Sequence, residues 1–353
     1  MTEALAATSA SKLHERRAVG TRGATVTGLS LGTAPLGGLY HDLTDDEAIA
    51  TIDAAWHAGI RYFDTAPHYG NTKAEHRVGA ALRRYPRSEF TLSTKVGRRF
   101  VRRTSPYDNR EGWQNPLPFE AVYDYTHDGI LRSFEDSQHR MGIAEIDILL
   151  IHDIGRMTHG EQNAHYWRQL TDGGGFRALD TLRASGAVKA VGLGVNEVDA
   201  ILDALADFDI DCALLAGRYT LLEQRALDDL LPACDARGVS ILLGGAFNSG
   251  ILARGVGGAQ RDLKFNYGDA PQDVIARVAR LEAVCRAYDV PLASAALQFP
   301  YAHPAVSTVL TGARTADELR ENVTSFERHI PSALWTALRD EGLLDARAPV
   351  PRD

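Results

Sequence analysis

The amino-acid sequence predicts an α/β protein folded as a (β/α)8 barrel, and three observations support that prediction. From about residue 29, short apolar runs typical of buried strands alternate with longer stretches of helical spacing, as in a strand-helix-strand-helix fold. Eight such runs can be counted in this chain of 353 residues, which matches the strand number and the length range of the TIM barrel. Polar side chains follow several of these runs directly, as in enzymes of this architecture.

The stretches between the predicted strands have the three- and four-residue periodicity of amphipathic helices, for example at Ile49, Ile52 and Trp56. An open doubly wound sheet shows a similar alternation, but it usually carries a GxGxxG turn after its first strand. The sequence GTAPLGG at 32 to 38 lacks that spacing. The eight predicted strands lie near Leu29 to Gly32, Tyr62 to Asp64, Phe90 to Lys95, Ile146 to His152, Val188 to Gly194, Cys212 to Ala216, Ser240 to Leu243 and Val306 to Thr311.

Two further features are predicted around the barrel. Upstream of the first strand, Thr21-Arg22-Gly23 has turn character between Arg17 to Gly20 and Ala24 to Thr27, so we expect an N-terminal hairpin that plugs the bottom of the barrel. The connections after strands 3 and 7, residues 97–118 and 244–270, are too long for simple turns. We expect these long loops to form the walls of a substrate pocket on the C-terminal face.

The domain organisation is predicted to be simple. We expect residues 1–15 to be a disordered leader, residues 16–345 to form a single barrel domain and residues 346–353 to be a tail. The N-terminal segment lacks the basic start and apolar core of a secretion signal, and no apolar run approaches the length of a membrane span. We therefore expect a cytoplasmic protein with no membrane partner.

Charge and cysteine content exclude other classes. The formal net charge of −8 argues against a nucleic-acid partner, and the cluster of arginines between residues 98 and 103 is interpreted as a solvated loop. Cys212, Cys234 and Cys285 stand far apart, so we expect reduced, structural thiols. The oligomeric state stays open at this stage.

Four ionisable side chains are expected to share one mouth of the barrel. Asp64, Lys95 and His152 end three successive predicted strands, and Tyr69 follows Asp64 in the same loop. A free phenol has a pKa of about 10, and a nearby ammonium lowers it, so Lys95 would make Tyr69 a better acid or base. Asp64 would hold Lys95, and His152 would donate a hydrogen bond to a substrate oxygen.

This set fits proton transfer at a carbonyl or alcohol carbon, and because no side chain supplies a hydride, it implies a nicotinamide cofactor. Each residue alone is more often structural or solvated; their shared position favours catalysis. A metal site is set aside, because the histidines show no HExxH or paired Cys/His spacing. The sequence contains no GxSxG, which argues against a serine hydrolase.

The sequence resembles the aldo-keto reductase family over nearly the whole chain. The motifs that carry the resemblance are FDTAPHYG at 63 to 70, STKVG at 93 to 97, IDILLIHD at 146 to 153, GLGVN at 192 to 196 and TGARTADELRENV at 311 to 323. In that family the residues matching Asp64, Tyr69, Lys95 and His152 form the catalytic tetrad, with the tyrosine as proton donor or acceptor.

The resemblance also implies a set of cofactor contacts. Asn196 is expected to hold the nicotinamide carboxamide, and Ser249 and Gly250 are expected to line the pyrophosphate. Arg314 and Asn322 are expected along the adenosine. Thr33 and Glu318 complete the predicted cofactor-binding residues.

The sequence departs from the family pattern near the nicotinamide. Val195 stands where a serine is common, and Ala216 aligns with a glutamine that binds the carboxamide. Gly244 aligns with an aromatic residue that stacks on the nicotinamide ring. Tyr219 and Phe247 are the two candidates to replace that ring.

The choice between NAD and NADP is predicted from charge. NADP-preferring members place basic side chains around the 2′-phosphate, at positions that align with Gly312 and Glu318. A carboxylate repels a phosphate and accepts a hydrogen bond from the ribose hydroxyl of NAD. The positive charge of Arg314 has the opposite effect, since it favours the 2′-phosphate of NADP. We expect NAD to be preferred, with NADP as the alternative.

Within the family, GRYTLLEQ at 217 to 224 and FNSGILA at 247 to 253 are most similar to bacterial D-threo-aldose and L-fucose dehydrogenases, with pyridoxal dehydrogenase as a neighbour. The resemblance implies oxidation of the C1 hemiacetal of an aldose to a lactone. The alternatives are pyridoxal oxidation, a general NADPH-dependent reduction of aldehydes and ketones, and a non-enzymatic accessory subunit that binds the cofactor. The predicted contacts of the sugar or aldehyde substrate are His68, Trp113, Asn248 and Tyr267.

Overall fold

The computed structural model describes residues 11–352, except residue 110 and residues 259–262. The strands are β1 (Arg16–Val19), β2 (Ala24–Thr27), β3 (Leu29–Gly32), β4 (Tyr62–Asp64), β5 (Thr91–Val96), β6 (Arg98–Arg102), β7 (Phe119–Tyr123), β8 (Ile148–His152), β9 (Ala190–Val195), β10 (Cys212–Ala216), β11 (Ser240–Gly244), β12 (Lys264–Phe265), β13 (Gly268–Asp269) and β14 (Val306–Gly312).

The helices are α1 (Asp45–His57), α2 (Lys73–Leu82), α3 (His127–Met141), α4 (Arg156–His159), α5 (Asn163–Leu170), α6 (Gly175–Ala184), α7 (Val198–Asp207), α8 (Leu230–Arg237), α9 (Ile251–Arg254), α10 (Gln272–Ala287), α11 (Leu292–Tyr301), α12 (Ala316–Glu327) and α13 (Ser332–Asp340). In the described part of the chain, none of these helices is long and apolar enough to cross a membrane.

Eight parallel strands of the described chain close into a barrel in chain order: β3, β4, β5, β8, β9, β10, β11 and β14, with β14 paired to β3. The predicted (β/α)8 fold is therefore confirmed. Strand ends differ from the prediction by one or two residues. For example, β8 begins at Ile148 rather than Ile146, and β5 extends to Val96.

The predicted N-terminal hairpin is confirmed, and it closes the lower end of the barrel. β1 pairs antiparallel with β2, and Val19 and Val26 join the buried cluster inside the barrel together with Tyr62, Ile148 and Leu150. These apolar side chains seal the end opposite the predicted active site, and burial of such side chains is the main stabilising contribution to the fold.

A second, larger core lies between the barrel and its helices. The first helix shows why these elements form where they do: Thr44 accepts a hydrogen bond from Glu47 N at 3.2 Å, and the Glu47 carboxylate accepts one from Thr44 N at 2.7 Å. This reciprocal capping satisfies backbone donors that a helix start leaves unpaired. Gly59, with φ +92°, ends the turn after the helix.

The predicted leader falls mostly on residues 1–10, which lie outside the described residues. Residues 11–15 pack on the barrel: Leu13 is buried, and its backbone N–H donates to Glu327 Oε1 at 2.6 Å. In the predicted tail, Ala348 is also buried. Both ends of the described chain thus contribute to the packed structure.

The two long connections contain structure of their own. The arginine cluster was predicted to be a solvated loop, and this is wrong. Residues 98–102 form β6, which pairs with β7, and Arg98 is 5% exposed. The segment after β11 contains α9 and the hairpin of β12 and β13. The three cysteines are buried free thiols.

Candidate active site

Asp64, Lys95 and Tyr69 form a connected group at the carboxyl end of the barrel. Lys95 Nζ donates to Asp64 Oδ2 at 2.7 Å, to the Thr65 carbonyl at 2.9 Å and to the Tyr69 hydroxyl oxygen at 3.0 Å. Asp64 Oδ1 accepts a hydrogen bond from Ser93 Oγ at 2.7 Å. The lysine is 1% exposed, so its charge is compensated inside the protein.

The register of the barrel brings these residues together. Asp64 pairs with Ser93 across β4 and β5, and Lys95 pairs with Leu150 across β5 and β8. On the next strand, Gly194 leaves room for the lysine, because a Cβ there would lie 3.0 Å from Lys95 Cε. Parallel strands ending at one level therefore place Asp64 and Lys95 side by side, as predicted.

The net pKa of Tyr69 is raised: Lys95 acts to lower it, as expected, but burial acts more strongly in the other direction. Part of the ring nevertheless remains open to the groove. Burial also acts to lower the pKa of Lys95, but Asp64 and Tyr69 raise it, with a net upward shift. The pair is thus a neutral phenol beside an ammonium.

His152 ends β8 at the same mouth. Its ring lies 6.0 Å from that of Tyr69, centroid to centroid, and its backbone carbonyl accepts a hydrogen bond from the Tyr125 hydroxyl at 2.9 Å. Burial, followed by Arg98 and Lys95, holds the pKa of His152 well below its usual range. The imidazole is therefore neutral at pH 7 and has one N–H to donate.

A groove of about 480 Å³ opens beside Tyr69. Its walls are formed by Gly32, Ala34, Pro35, Leu39, Tyr40, His41, Asp64, Tyr69, Leu214, Ala216, residues 244–250, Ala253, Arg254, Tyr267, residues 310–314, Glu318, Glu321 and Asn322. A Cβ added to Gly250 would meet no protein atom within 4 Å, because that side of the residue faces the groove. The space and its small wall residues fit an elongated dinucleotide.

Five of the seven predicted cofactor residues line this groove: Ser249, Gly250, Arg314, Glu318 and Asn322. Thr33 does not. It is buried, and its hydroxyl donates to the Asp64 carbonyl at 2.9 Å, so its side chain supports the strand end. Asn196 lies just outside the wall and reaches it through Tyr267, whose hydroxyl is 3.4 Å from Asn196 Oδ1.

Arg314 and Glu318 are paired inside the groove. Arg314 Nε donates to Glu318 Oε1 at 2.9 Å, and its backbone N–H donates to Oε2 at 2.8 Å. Burial acts to raise the pKa of Glu318, but the hydrogen bonds from Arg314 outweigh it, and the net direction is downward. The glutamate is therefore an anion turned towards the arginine, whose positive charge it compensates.

His68 and Trp113, two of the predicted substrate residues, lie together beside Tyr69. The two rings meet edge to face at 5.4 Å, and the Tyr69 and Trp113 rings are 6.0 Å apart. Burial, then Arg98 and Lys95, holds the pKa of His68 well below its usual range. The structure thus places both predicted substrate residues against the proposed catalytic groups, as a largely neutral wall.

The other two predicted substrate residues differ from this pattern. Asn248 lines the groove, but its amide is engaged by the Thr220 hydroxyl at 2.6 Å and by the Gly217 carbonyl at 3.2 Å. Tyr267 is 60% exposed at the tip of the β12–β13 hairpin, and its backbone N–H donates to Ser249 Oγ at 3.0 Å. The Tyr267 side chain is therefore more accessible to a ligand than the Asn248 amide.

The structure distinguishes Tyr219 from Phe247, the two candidates for the aromatic ring that stacks on the nicotinamide in other family members. Tyr219 is buried against Phe299, with ring centroids 5.2 Å apart, and it does not line the groove. Phe247 does line it. Of the two, Phe247 is therefore the candidate that the groove geometry favours.

Two residues beside the predicted tetrad were not singled out from the sequence. Asp153 follows His152 directly, and its Oδ2 lies 3.5 Å from His152 Nε2. Its other partner is Arg98, which pairs with the same oxygen. The sequence contained a signal for Asp153, a second ionisable residue at a strand end, but Arg98 was hidden in a run of arginines.

The protein-family model of the aldo/keto reductase family matches residues 28–340, so the chain belongs to this family and is an oxidoreductase of a class that uses nicotinamide cofactors. It is 50% identical over 344 residues to pyridoxal 4-dehydrogenase of Microbacterium luteolum, which covers 94% of this chain and 99% of that protein. It is 39% identical over 331 residues to D-threo-aldose 1-dehydrogenase of a Pseudomonas species, covering 93% and 97% respectively. The resemblance drawn from the motifs is confirmed.

Solved structures agree on the fold. An aldo-keto reductase of Bacillus halodurans, in its holo form, matches with a TM-score of 0.69 at 24% identity, covering 96% of this chain and 99% of that one. A glycerol dehydrogenase of Gluconobacter oxydans matches with a TM-score of 0.69 at 22% identity, covering 96% and 97%. In the part of the chain that the structure describes, no group of three or more His, Cys, Asp or Glu is placed to hold a metal ion.

Proposed function

We propose that this protein is a nicotinamide-dependent dehydrogenase that oxidises the hydroxyl-bearing carbon of a small cyclic hemiacetal to a lactone. The observation that carries the proposal is the 3.0 Å contact between Lys95 Nζ and the Tyr69 hydroxyl beside a groove that fits a dinucleotide. A proton acceptor and a hydride acceptor are the two components that such an oxidation requires.

Tyr69 is the proposed base. The hemiacetal hydroxyl gives its proton to the phenolate oxygen of Tyr69 while the hydrogen on the same carbon leaves as hydride, and the C–O single bond becomes the lactone carbonyl. The bound nicotinamide supplies the hydride acceptor. Lys95 stabilises the phenolate by charge, and Asp64, at 2.7 Å from Lys95 Nζ, keeps the ammonium in place.

His152 completes the proposed tetrad. Because burial keeps its imidazole neutral, it adds no positive charge that would compete with Lys95. It donates an N–H hydrogen bond to the substrate oxygen and orients the hydroxyl towards Tyr69. His68 and Trp113 form the wall against which the substrate ring packs, and Tyr267 covers the opening.

The proposed cofactor residues contact different parts of the dinucleotide along the groove. Ser249 and Gly250 meet the pyrophosphate where the backbone leaves space, and Arg314 and Asn322 lie along the adenosine. Asn196 holds the nicotinamide carboxamide. NAD is the proposed preference, because Glu318 aligns with a position that is basic in NADP-preferring members of the family, and its carboxylate already occupies Arg314. NADP remains the second candidate because Arg254 also lines the groove.

The substrate class is argued from what two relatives share. Pyridoxal closes on its own hydroxymethyl group to form a cyclic hemiacetal, and an aldose closes to the same functional group at C1. The relatives named for these substrates are 50% and 39% identical to this chain. Pyridoxal is therefore the first substrate to test, and an aldose of the L-fucose type is the second.

The proposal is tested with purified protein, each of NAD and NADP, and a panel of pyridoxal, L-fucose, D-arabinose and L-galactose. We expect reduced nicotinamide to form with at least one hemiacetal, and mass spectrometry to identify the lactone. Turnover seen only as NADPH-dependent reduction of open-chain aldehydes would support the general reductase instead. Cofactor binding without any turnover would support the accessory subunit.

A further inference from the structure

We propose that Asp153 is a positioning residue whose carboxylate, held by Arg98, fixes the side-chain amide of Asn196 at the nicotinamide end of the groove. The inference rests on the proposed function, in which Asn196 holds the carboxamide. It assigns a role to the ion pair of Asp153 and Arg98, which lies beside His152.

The backbone directs Asp153 towards Asn196. Asp153 adopts φ +45°, a left-handed conformation that aspartate tolerates better than most residues. Its N–H donates to the Gly194 carbonyl on the neighbouring strand β9 at 2.9 Å, which fixes the turn. Asn196 follows the end of β9, so the carboxylate and the amide meet at the same rim of the barrel.

The contact with Asp153 selects one orientation of the amide. Asp153 Oδ1 accepts a hydrogen bond from Asn196 Nδ2 at 3.3 Å, and a carboxylate can only accept, so Asn196 presents its NH2 group there. The amide oxygen then faces the opposite way, where it accepts from the Tyr267 hydroxyl at 3.4 Å. Because Tyr267 lines the groove, oxygen is the atom that Asn196 offers on the groove side.

Arg98 holds the carboxylate that makes this selection. The guanidinium pairs with Asp153 Oδ2, with side-chain exposures of 6% for the arginine and 15% for the aspartate. It also lies 5.3 Å from the centre of the Tyr123 ring. A cation this buried is strongly unfavourable without its counter-charge, so β6 and the end of β8 are tied together through the pair.

As a consequence, the Asn196 amide already has the orientation needed to contact the nicotinamide before the cofactor binds. An amide oxygen accepts from the NH2 of a nicotinamide carboxamide, whereas a flipped Asn196 would present an NH2 group that can only donate. Fixing the orientation before the cofactor binds reduces the entropy lost on binding. Arg98 thus acts on cofactor affinity through two intervening side chains, Asp153 and Asn196.

The test is a calorimetric titration with NAD and NADH in the absence of substrate. We expect Asp153→Asn to raise the Kd about tenfold, as for the loss of one orienting hydrogen bond to a charged group. Asn196→Ala should weaken binding by a similar factor. The double variant should bind no more weakly than Asn196→Ala alone, because Asp153 acts through Asn196.

Asp211→Asn is the matched control. Asp211 pairs with Arg183 Nη1 at 2.9 Å with 11% side-chain exposure, and it accepts from the Val191 backbone N–H at 2.9 Å. It precedes β10 and so lies at the far end of the barrel. We expect its removal to leave the cofactor Kd within twofold of the parent protein and to affect stability alone.

An unchanged cofactor Kd in Asp153→Asn, with or without a raised substrate KM, would overturn the inference, and so would additive losses in the double variant. If Asp153→Asn does not fold, Asp153→Glu keeps the charge for Arg98 and moves the carboxylate by one methylene. An unchanged Kd in that variant also overturns it. Failure of the parent protein to bind either dinucleotide would overturn the proposed function and this inference together.

Discussion

Lys95 Nζ lies 3.0 Å from the Tyr69 hydroxyl and 4.7 Å from the centre of the Tyr69 ring. The lysine is therefore close enough to act on the oxygen and to pack against the face of the ring. Burial raises the pKa of the phenol, and this cation limits the rise. In the proposed mechanism, the balance between burial and this cation determines the pH range over which Tyr69 accepts a proton.

Tyr69→Phe is expected to lower turnover by about two orders of magnitude or more, the usual contribution of a positioned acid or base. Cofactor affinity should change little, because the hydroxyl alone is removed. Steady-state kinetics with a calorimetric titration of NAD checks both. Tyr85→Phe is the control, since that hydroxyl donates to Asp53 at 2.7 Å on the outer surface; equal losses in the two variants would contradict the role of Tyr69.

The pH dependence follows from the raised pKa of Tyr69. Oxidation needs the deprotonated phenol, so its kcat/KM should still be rising at about pH 10, the ordinary value of a phenol. Reduction needs the protonated phenol and should fall over the same range. Lys95 and Asp64 are the charged groups nearest the hydroxyl, with Asp153 further away, and of these Lys95 alone lowers the pKa.

Lys95→Met should therefore move the rising limb of the oxidation profile to higher pH, in addition to lowering the rate. Lys189→Met is the control, because Lys189 pairs with Asp147 at 2.7 Å at the start of β8. A limb that moves to lower pH in Lys95→Met would contradict the electrostatic role given to the lysine.

Two glycines of β9 should respond differently to alanine. A Cβ at Gly194 would meet Lys95 Cε at 3.0 Å, whereas one at Gly192 would lie 1.7 Å from the Cys212 backbone oxygen. Gly194→Ala should lower kcat about tenfold by displacing the lysine, with little change in Tm. Gly192→Ala should destabilise the fold by about 3 kcal/mol or more, since backbone must move. Thermal unfolding and kinetics on both variants separate the effects.

Glu318→Gln should shift the cofactor preference towards NADP. Removing the carboxylate frees Arg314 to pair with a 2′-phosphate, and we expect the NADP-to-NAD ratio of kcat/KM to rise roughly tenfold. Asp317→Asn removes an equal charge from the same helical turn, but Asp317 pairs outward with Arg320. A ratio that rises equally in both variants would show a general charge effect and contradict the role of Glu318.

The barrel and the shared position of the four predicted tetrad residues could be predicted because the signals are local. Each strand is a short apolar run, and Asp64, Lys95 and His152 follow directly from where three runs end. Arg98 was missed for the opposite reason: its burial depends on Asp153, which lies on a different strand end. No property of the arginine run itself indicates which member turns inward.

The direction in which a side chain points was the second property that could not be predicted from the sequence. Thr33 was placed at the cofactor by position, yet its hydroxyl turns to the Asp64 carbonyl. The raised pKa of Tyr69 is also a property of packing, because the enclosing protein opposes Lys95 more strongly than the sequence indicates. Likewise, Leu13 packs in the core, and its backbone N–H donates to Glu327, a residue far away in the sequence.

The pairing of β14 with β3 has a consequence for biosynthesis. The strand that closes the barrel ends at Gly312, so a ribosome must release most of the chain before the first strand gains its second neighbour. Until then, the open edge of β3 and the apolar hairpin beneath it are exposed to other chains, and such edges promote aggregation. Slower synthesis or a shortage of chaperones should therefore reduce the soluble yield of this protein, even though the stability of the folded barrel is unchanged.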